Sequence, residues 1–178
     1  MNFEIKTERL TLKPPTEKDV DVLYKLMSDD SITTFLTWEA HKNIETTKSV
    51  VQSLIHSQKE KRGFHWCIWC NNNIIGLVSL IDVKRTIRTW TLNRCELSYW
   101  VSSDYQGKGF ATEASNAVIE FGFQKLSFHK IIVAHAEKNI ESKRICEKLR
   151  FTQYAHERDA FQKSGEWNNL LWYERINT

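Results

Sequence analysis

The stretch that decides the fold is Gln106-Gly107-Lys108-Gly109-Phe110-Ala111, which lies between a predicted strand and a predicted helix. Residues 95–101, before it, are rich in aromatic and branched side chains, as in a strand. After it, apolar residues recur at three- and four-residue steps, as on one face of a helix. Glycines let backbone amides approach a ligand closely, and a helix start adds unpaired N–H groups and partial positive charge. The junction therefore predicts a phosphate-binding site.

The size and charge of the chain limit its class. Its 178 residues fit one domain spanning residues 1–178. Its formal net charge is +3. The charges are spread without a basic tract, so no nucleic-acid partner is expected. The N-terminus lacks the apolar core of a signal peptide, and no segment approaches the ~20 apolar residues of a membrane span. We expect a cytoplasmic protein without a membrane partner.

Four cysteines raise the question of a metal site. Cys67 and Cys70 have CxxC spacing, but the surrounding residues predict a strand, on which side chains three apart point to opposite faces. The chain has no second CxxC. We therefore expect buried thiols and no metal.

The remaining pattern predicts short elements of alternating type. Strands are predicted at residues 9–12, 64–69, 74–81, 95–101, 130–136, 151–154 and 170–176, and helices at residues 16–27, 44–60, 110–121 and 142–149. The first helix opens on a capping box at residues 16–19. Residues 82–94 are polar and basic and predict an irregular connection, and a polar loop is predicted between the last two strands.

The hexapeptide also fits the pattern Gln/Arg-x-x-Gly-x-Gly/Ala, with Gln106, Gly109 and Ala111 in the defined places. It lacks the third glycine of a dinucleotide-binding loop and the Gly-Lys-Ser/Thr end of a P-loop. On these residues the chain resembles the GNAT superfamily of acetyl-CoA-dependent N-acetyltransferases. The run from Glu96 to Phe151 is similar to the Rim-type branch, which includes ribosomal-protein N-terminal acetyltransferases. The alternative is a glycine-bearing turn without a ligand.

The resemblance implies a GNAT-like acyl-CoA N-acyltransferase fold, an α/β (α+β) architecture with a mixed sheet. Two central parallel strands, residues 95–101 and 130–136, would splay apart and admit the pantetheine arm of acetyl-CoA in place of a missing strand. The reaction that it implies uses no metal. The implied acetyl-CoA-binding residues are Trp100, Val101, Gln106, Gly107, Lys108, Gly109, Phe110, Ala111, Thr112, Asn139 and Ser142.

A second motif follows the strand at residues 130–136. Asn139 and Ser142 resemble the family's Asn-x-x-Ser pattern, in which the Asn contacts the pantetheine arm and the Ser lies near the thioester sulfur. From the residues alone, Ser142 is also a good helix N-cap and Asn139 a good strand-exit residue. The family usually has Gly before Phe151. This chain has Arg150, which costs about 1 kcal/mol in a left-handed cap.

Acetyl transfer from a thioester needs a neutral amine, donors for the developing oxyanion and a proton for the leaving thiolate. Deprotonating an α-amine at pH 7 costs about 1 kcal/mol, against more than about 4 kcal/mol for a lysine. Glu96 is the candidate base, where the resemblance implies a glutamate, and a surface or ion-paired carboxylate is the alternative. Glu113 and Glu137 are other candidate bases. Ser142 or Tyr99 is the candidate acid, and the resemblance favours Ser142.

These observations predict an acetyl-CoA-dependent N-acetyltransferase that works by direct attack in a ternary complex. The favoured acceptor is the N-terminal α-amine of a protein, with ribosomal proteins as candidates. The first alternative is a small amine such as a polyamine or an aminoglycoside, and the second is a non-catalytic acyl-CoA-binding module. We expect a monomer or a homodimer.

Overall fold

The computed structural model describes residues 2–177. The strands are β1 Ile5–Lys6, β2 Thr11–Lys13, β3 Phe64–Cys70, β4 Asn73–Ile87, β5 Trp90–Val101, β6 Lys130–Ala136, β7 Thr152–Lys163 and β8 Glu166–Ile176. The helices are α1 Val20–Met27, α2 Ile44–Lys59, α3 Phe110–Gln124 and α4 Ile140–Lys148, and 3-10 turns lie at Glu17–Asp19, Asp30–Ile32 and Ser103–Tyr105. All eight strands form one mixed sheet in the order β1-β2-β3-β4-β5-β6-β8-β7, which confirms the predicted fold class.

Helices cover both faces of the sheet. On one, Val118 of α3 and Cys146 of α4 belong to the larger core. On the other, Leu23 of α1 and Val51 of α2 pack with Trp100 of β5 in a smaller core. We call these the α3–α4 face and the α1–α2 face. The alternation of β5 residues between the two cores follows from the two-residue period of a strand.

The centre of the sheet contains the predicted splay. Parallel pairing of β5 with β6 runs from Arg94 with Lys130 to Glu96 with Ile132. Beyond these residues each strand continues without pairing to the other, so a gap opens between them. On its other side β5 stays paired with β4 as far as Val101.

The prediction of an irregular connection at residues 82–94 was wrong. β4 continues to Ile87 and β5 begins at Trp90, so this segment is a hairpin. Asp82 has a positive φ of 48°, and the register shifts between Ile81 and Lys84 before pairing resumes. This bulge interrupts the two-residue alternation that identifies a strand in a sequence.

The prediction of a polar loop before the last strand was also wrong. β7 and β8 form a long hairpin that closes with Lys163 opposite Glu166. Register shifts within residues 153–155 and 157–161 break the alternation. Most β7 side chains are exposed, because β7 is the edge strand of the sheet.

Most other element boundaries shift by one or two residues, but α3 continues three residues past its predicted end and α1 begins four residues late, after a 3-10 turn. β1 was missed because it is only two residues long. The predicted capping box is present, with Asp19 Oδ2 accepting from Thr16 N at 2.7 Å. Arg150 has the left-handed φ of 58° that its place after α4 predicts. Its N–H donates to Glu147 O, and Phe151 N–H donates to Cys146 O, the two bonds of a Schellman helix end.

Candidate active site

The glycine loop connects β5 to α3 with an irregular backbone. After the 3-10 turn Ser103–Tyr105, Gly107 and Gly109 have φ values of 72° and 81°, in the left-handed region that favours glycine. Gly109 is the N-cap of α3, whose first backbone bond runs from Glu113 N–H to Gly109 O at 3.0 Å. The amides of residues 110–112 precede this bond, so they are donors that the helix itself does not use.

Arg9 fixes the start of α3, a role that no motif in the sequence predicts. Its Nε donates to Glu113 Oε2 at 2.6 Å and its Nη1 to Lys108 O at 3.0 Å. The guanidinium also lies 4.5 Å from the centre of the Phe110 ring. Thr7 Oγ1 donates to the other oxygen of Glu113 at 2.6 Å. The N-terminal segment therefore holds the glycine loop against α3.

Two further loop side chains donate hydrogen bonds to nearby backbone carbonyl groups. Gln106 Nε2 donates to Val101 O at 3.0 Å, which ties the loop to the end of β5. Lys108 Nζ donates to Asp104 O at 2.7 Å and lies over the Tyr105 ring. In this conformation the loop offers backbone amides to an anion, and Lys108 would have to leave its contact to meet a phosphate.

The gap between β5 and β6 starts next to Glu96 and Ile132. Residues 97–101 of β5 and 133–136 of β6 border it without pairing to each other. Backbone N–H and C=O groups at such a gap can pair with an extended chain that carries its own amides. The pantetheine arm has that chemistry, and the glycine loop lies directly after β5. These residues therefore fit acetyl-CoA.

Glu96 lies at the last paired position before the gap. It is half-buried and shares the α1–α2 face with Ser98 and Trp100, as strand alternation predicts. Burial raises the pKa of Glu96, and the nearby carboxylate of Asp82 raises it further, while Lys84 lowers it. The carboxylate is thus a stronger base than one in water, next to the gap.

Ser142 lies on the opposite face of the sheet, in contact with Tyr99. The hydroxyl groups of the two residues are 2.6 Å apart, and Ser142 is buried. Burial raises the pKa of Tyr99, and Cys146 raises it further, whereas the Ser142 hydrogen bond lowers it. The structure therefore brings together the two residues that the sequence offered as alternative acids.

The interpretation of Ser142 as a helix N-cap was wrong. The N-cap of α4 is Asn139, whose Oδ1 accepts from Ser142 N at 3.0 Å. Ser142 is in the first turn of α4, so its hydroxyl is free to contact Tyr99. An Asn is as good an N-cap as a Ser, and the sequence alone could not choose between two candidates three residues apart.

The other candidate bases have less suitable surroundings. Burial would raise the pKa of Glu113, but hydrogen bonds from Thr7 and Arg9 outweigh it, so the pKa is lowered. Glu137 is exposed, and its carboxylate accepts from Asn169 Nδ2 at 2.8 Å. Glu96, half-buried and with a raised pKa, is therefore the better candidate base.

The cysteines lie as predicted. Cys67 belongs to the core under the α1–α2 face and Cys70 to the core under the α3–α4 face, and both are free, buried thiols. Across residues 2–177 no group of three or more His, Cys, Asp or Glu side chains is placed to hold a metal ion. In that same range no helix is long and apolar enough to span a bilayer.

A cavity of about 670 Å³ lies elsewhere. It is lined by Phe64, Lys125 and Leu126, among others, at the C-terminal end of α3. The glycine loop precedes the N-terminus of this 15-residue helix, which is roughly 22 Å long. The gap and the loop form the candidate acetyl-CoA site, because the free backbone donors and the carboxylate with a raised pKa are there.

The mixed sheet, its central gap and the glycine loop at a helix N-terminus define the class of the protein as a GNAT-type acyltransferase. The chain belongs to the GNAT acetyltransferase family, since residues 9–152 match its "Acetyltransferase (GNAT) domain". It is therefore an N-acetyltransferase that uses acetyl-CoA as the acetyl donor, and the family favours this activity over a non-catalytic binding module.

Relatives and solved structures agree with this assignment. Spermidine N(1)-acetyltransferase of Escherichia coli (strain K12) is 25% identical over 160 residues, covering 90% of this chain and 82% of the relative. The solved RimL ribosomal L7/L12 alpha-N-protein acetyltransferase with coenzyme A has a TM-score of 0.90 at 19% identity, with 97% of each chain covered. The microcin C7 self-immunity acetyltransferase MccE with acetyl-CoA and AMP has a TM-score of 0.84 at 23% identity, covering 96% of this chain and 94% of that one. The two structural likenesses concern the fold.

Proposed function

We propose that this enzyme acetylates the N-terminal α-amine of a protein, with a ribosomal protein as the favoured acceptor, by direct attack in a ternary complex. The observation that carries the proposal is the half-buried Glu96 beside the gap, with its raised pKa. An α-amine loses its proton near neutral pH, so one carboxylate suffices as its base. The fold of RimL, a ribosomal-protein acetyltransferase, supports the same acceptor class.

Each residue of the proposed site has one task. Acetyl-CoA supplies the thioester when bound. Glu96 takes the proton of the acceptor amine from the α1–α2 face. The Ser142 hydroxyl, held by Tyr99 at 2.6 Å, gives a proton or a hydrogen bond to the leaving sulfur. A hydroxyl that is already oriented in a buried site stabilises the negative charge that develops on the leaving sulfur, because the donor does not have to reorganise during the reaction.

The proposed cofactor contacts follow the same geometry. The amides of residues 110–112 at the start of α3 bind the pyrophosphate, helped by the positive end of the helix dipole. The backbone of Trp100 and Val101 pairs with the pantetheine arm in the gap. Asn139 follows β6 by three residues, and its Oδ1 caps α4, so the Nδ2 of the same side chain is the group that contacts the arm.

A small linear amine is the second candidate acceptor. A spermidine acetyltransferase aligns with 90% of this chain, which extends through the elements around Glu96. An aminoglycoside is a third acceptor of the same chemistry. A cytoplasmic location, a single domain and a monomeric or homodimeric state stay predictions.

One experiment separates these acceptors. Purified enzyme with acetyl-CoA is offered peptides with free or acetylated N-termini, spermidine and kanamycin, and thiol release is followed. Our proposal expects turnover on free N-terminal peptides that disappears when the terminus is blocked, with lower kcat/KM for the other two. A higher kcat/KM for spermidine than for the peptides would mean that the acceptor is a polyamine and not a protein N-terminus. A reaction without enzyme is the control for uncatalysed acetylation.

A further inference from the structure

The tip of the β7–β8 hairpin is held by the segment that joins α1 to α2. Lys163, the last residue of β7, has a side chain that is only 16% exposed. Its Nζ donates to the carbonyl oxygens of Thr33 at 2.6 Å, Leu36 at 2.7 Å and Trp38 at 3.4 Å. An ammonium group has three protons, so these three carbonyls use all of them.

This contact spans the gap between β5 and β6. The hairpin belongs to the β6 side, because β8 pairs along the whole of β6. Residues 33–39 belong to the β5 side, because the rings of Trp38 and Trp100 are 6.0 Å apart in an edge contact. Both lie on the α1–α2 face, where Leu36 and Trp38 pack against the smaller core. We call Lys163 and residues 33–39 together the arch.

The arch lies on the face from which Glu96 is reached. Glu96 and Trp100 share the α1–α2 face of β5, four residues apart, or roughly 13 Å along the strand. An amine that approaches Glu96 from this face passes between the gap and the arch. Hydrogen bonds from a charged donor are about twice as strong as those between neutral groups, so the arch is held closed.

We propose that Lys163 is a positioning residue that sets acceptor specificity. By holding residues 33–39 across the gap, it restricts the acceptor to a narrow, extended chain with a terminal primary amine. The first residues of a polypeptide and a linear polyamine have this shape, and a ring-bearing aminoglycoside does not. The acceptor chemistry rests on the proposed function, whereas the arch is testable without any acceptor.

The chain offers a matched pair of substitutions. Lys163→Met keeps the length and the apolar stem of the side chain but removes the three donors. Lys138→Met is the control, because Lys138 Nζ contacts Glu166 of the same hairpin at 3.2 Å from an exposed position. Lys163→Gln keeps two N–H donors and serves as the milder variant if Lys163→Met fails to fold.

The acceptor-free test is limited proteolysis with chymotrypsin, which cleaves after aromatic and large apolar residues such as those at 35, 36 and 38. Cleavage in residues 33–39 should be about tenfold faster in Lys163→Met, because opening the arch no longer breaks charged hydrogen bonds. It should be intermediate in Lys163→Gln and unchanged in Lys138→Met. CoA affinity by calorimetry should stay within about twofold of wild type. If folded Lys163 variants are cleaved at the wild-type rate, the proposal that Lys163 holds residues 33–39 is refuted.

The specificity test compares kcat/KM for a free N-terminal tetrapeptide or spermidine with kcat/KM for kanamycin. In Lys163→Met this ratio should fall about fivefold or more while the KM for acetyl-CoA is unchanged, since a looser arch admits a bulkier amine. An unchanged ratio would refute the specificity role. If the wild type acetylates none of these amines, the proposed acceptors fail, and the proteolysis result still decides the role of Lys163 in holding the arch.

Discussion

The contact between Ser142 and Tyr99 allows stability and chemistry to be separated by a double-mutant cycle. In Ser142→Ala the Tyr99 hydroxyl loses its partner at 2.6 Å, and leaving such a group unpaired in a buried site costs about 1–3 kcal/mol. The cap of α4 is unaffected because it belongs to Asn139. Tyr99→Phe should cost a similar amount. The double variant should recover most of the loss, because replacing both partners by apolar groups is nearly neutral.

Turnover should follow a different pattern. If the Ser142 hydroxyl contacts the leaving sulfur, both Ser142→Ala and the double variant lose roughly 10²-fold in single-turnover rate, the lower end for general acid catalysis. Tyr99→Phe keeps the Ser142 hydroxyl and should lose less. Urea unfolding measures the free energies, and rapid mixing with saturating acetyl-CoA measures the rates. A double variant with the wild-type rate would refute Ser142 as the acid.

Three further predictions concern the base, the cofactor loop and a helix end. Glu96→Gln should cut turnover by roughly 10²-fold at pH 7, with a deficit that shrinks as pH rises and free amine accumulates. In the wild type, kcat/KM should fall on acidification through a pKa above the usual glutamate range, because burial raises the pKa of Glu96. Full activity of Glu96→Gln at pH 7 would mean that Glu96 has only a structural role. Gly109→Val should weaken CoA binding at least about tenfold by calorimetry, because φ is 81° there and a β-branched residue would force the loop amides out of this conformation. Unchanged affinity in a folded variant would remove the loop from the site. Arg150→Gly should raise the free energy of unfolding by about 1 kcal/mol in urea, since φ is 58°; no gain would mean that the Arg150 side chain offsets its backbone strain.

The sequence predicted the parts of the site that are local. The glycine loop and the strand Lys130–Ala136 depend on residues that are neighbours in the chain, and both lie where they were predicted. Glu96 and Trp100 share a face because the two-residue period of a strand requires it. The position of the gap was predicted from the family resemblance and not from the residues alone.

The parts that sequence reasoning missed depend on contacts between distant residues. Arg9 and Glu113 are 104 residues apart, and Lys163 contacts carbonyl groups more than 120 residues away. Backbone carbonyls carry no side-chain signal, so the acceptors around Lys163 are invisible in a sequence. The two long hairpins were missed for another reason, because bulges near Asp82 and in β7 interrupt the alternation.

The short pairing between β5 and β6 has a consequence for the lifetime of the protein in a cell. A ligand that fills the gap binds the folded state alone, and at a concentration of about 100 times its Kd it adds about 2.7 kcal/mol of stability. Amide hydrogen exchange along residues 97–101 and 133–136 should therefore slow when CoA is added. Proteases act on the opened chain, so the abundance of this enzyme should decline when its acetyl donor is scarce.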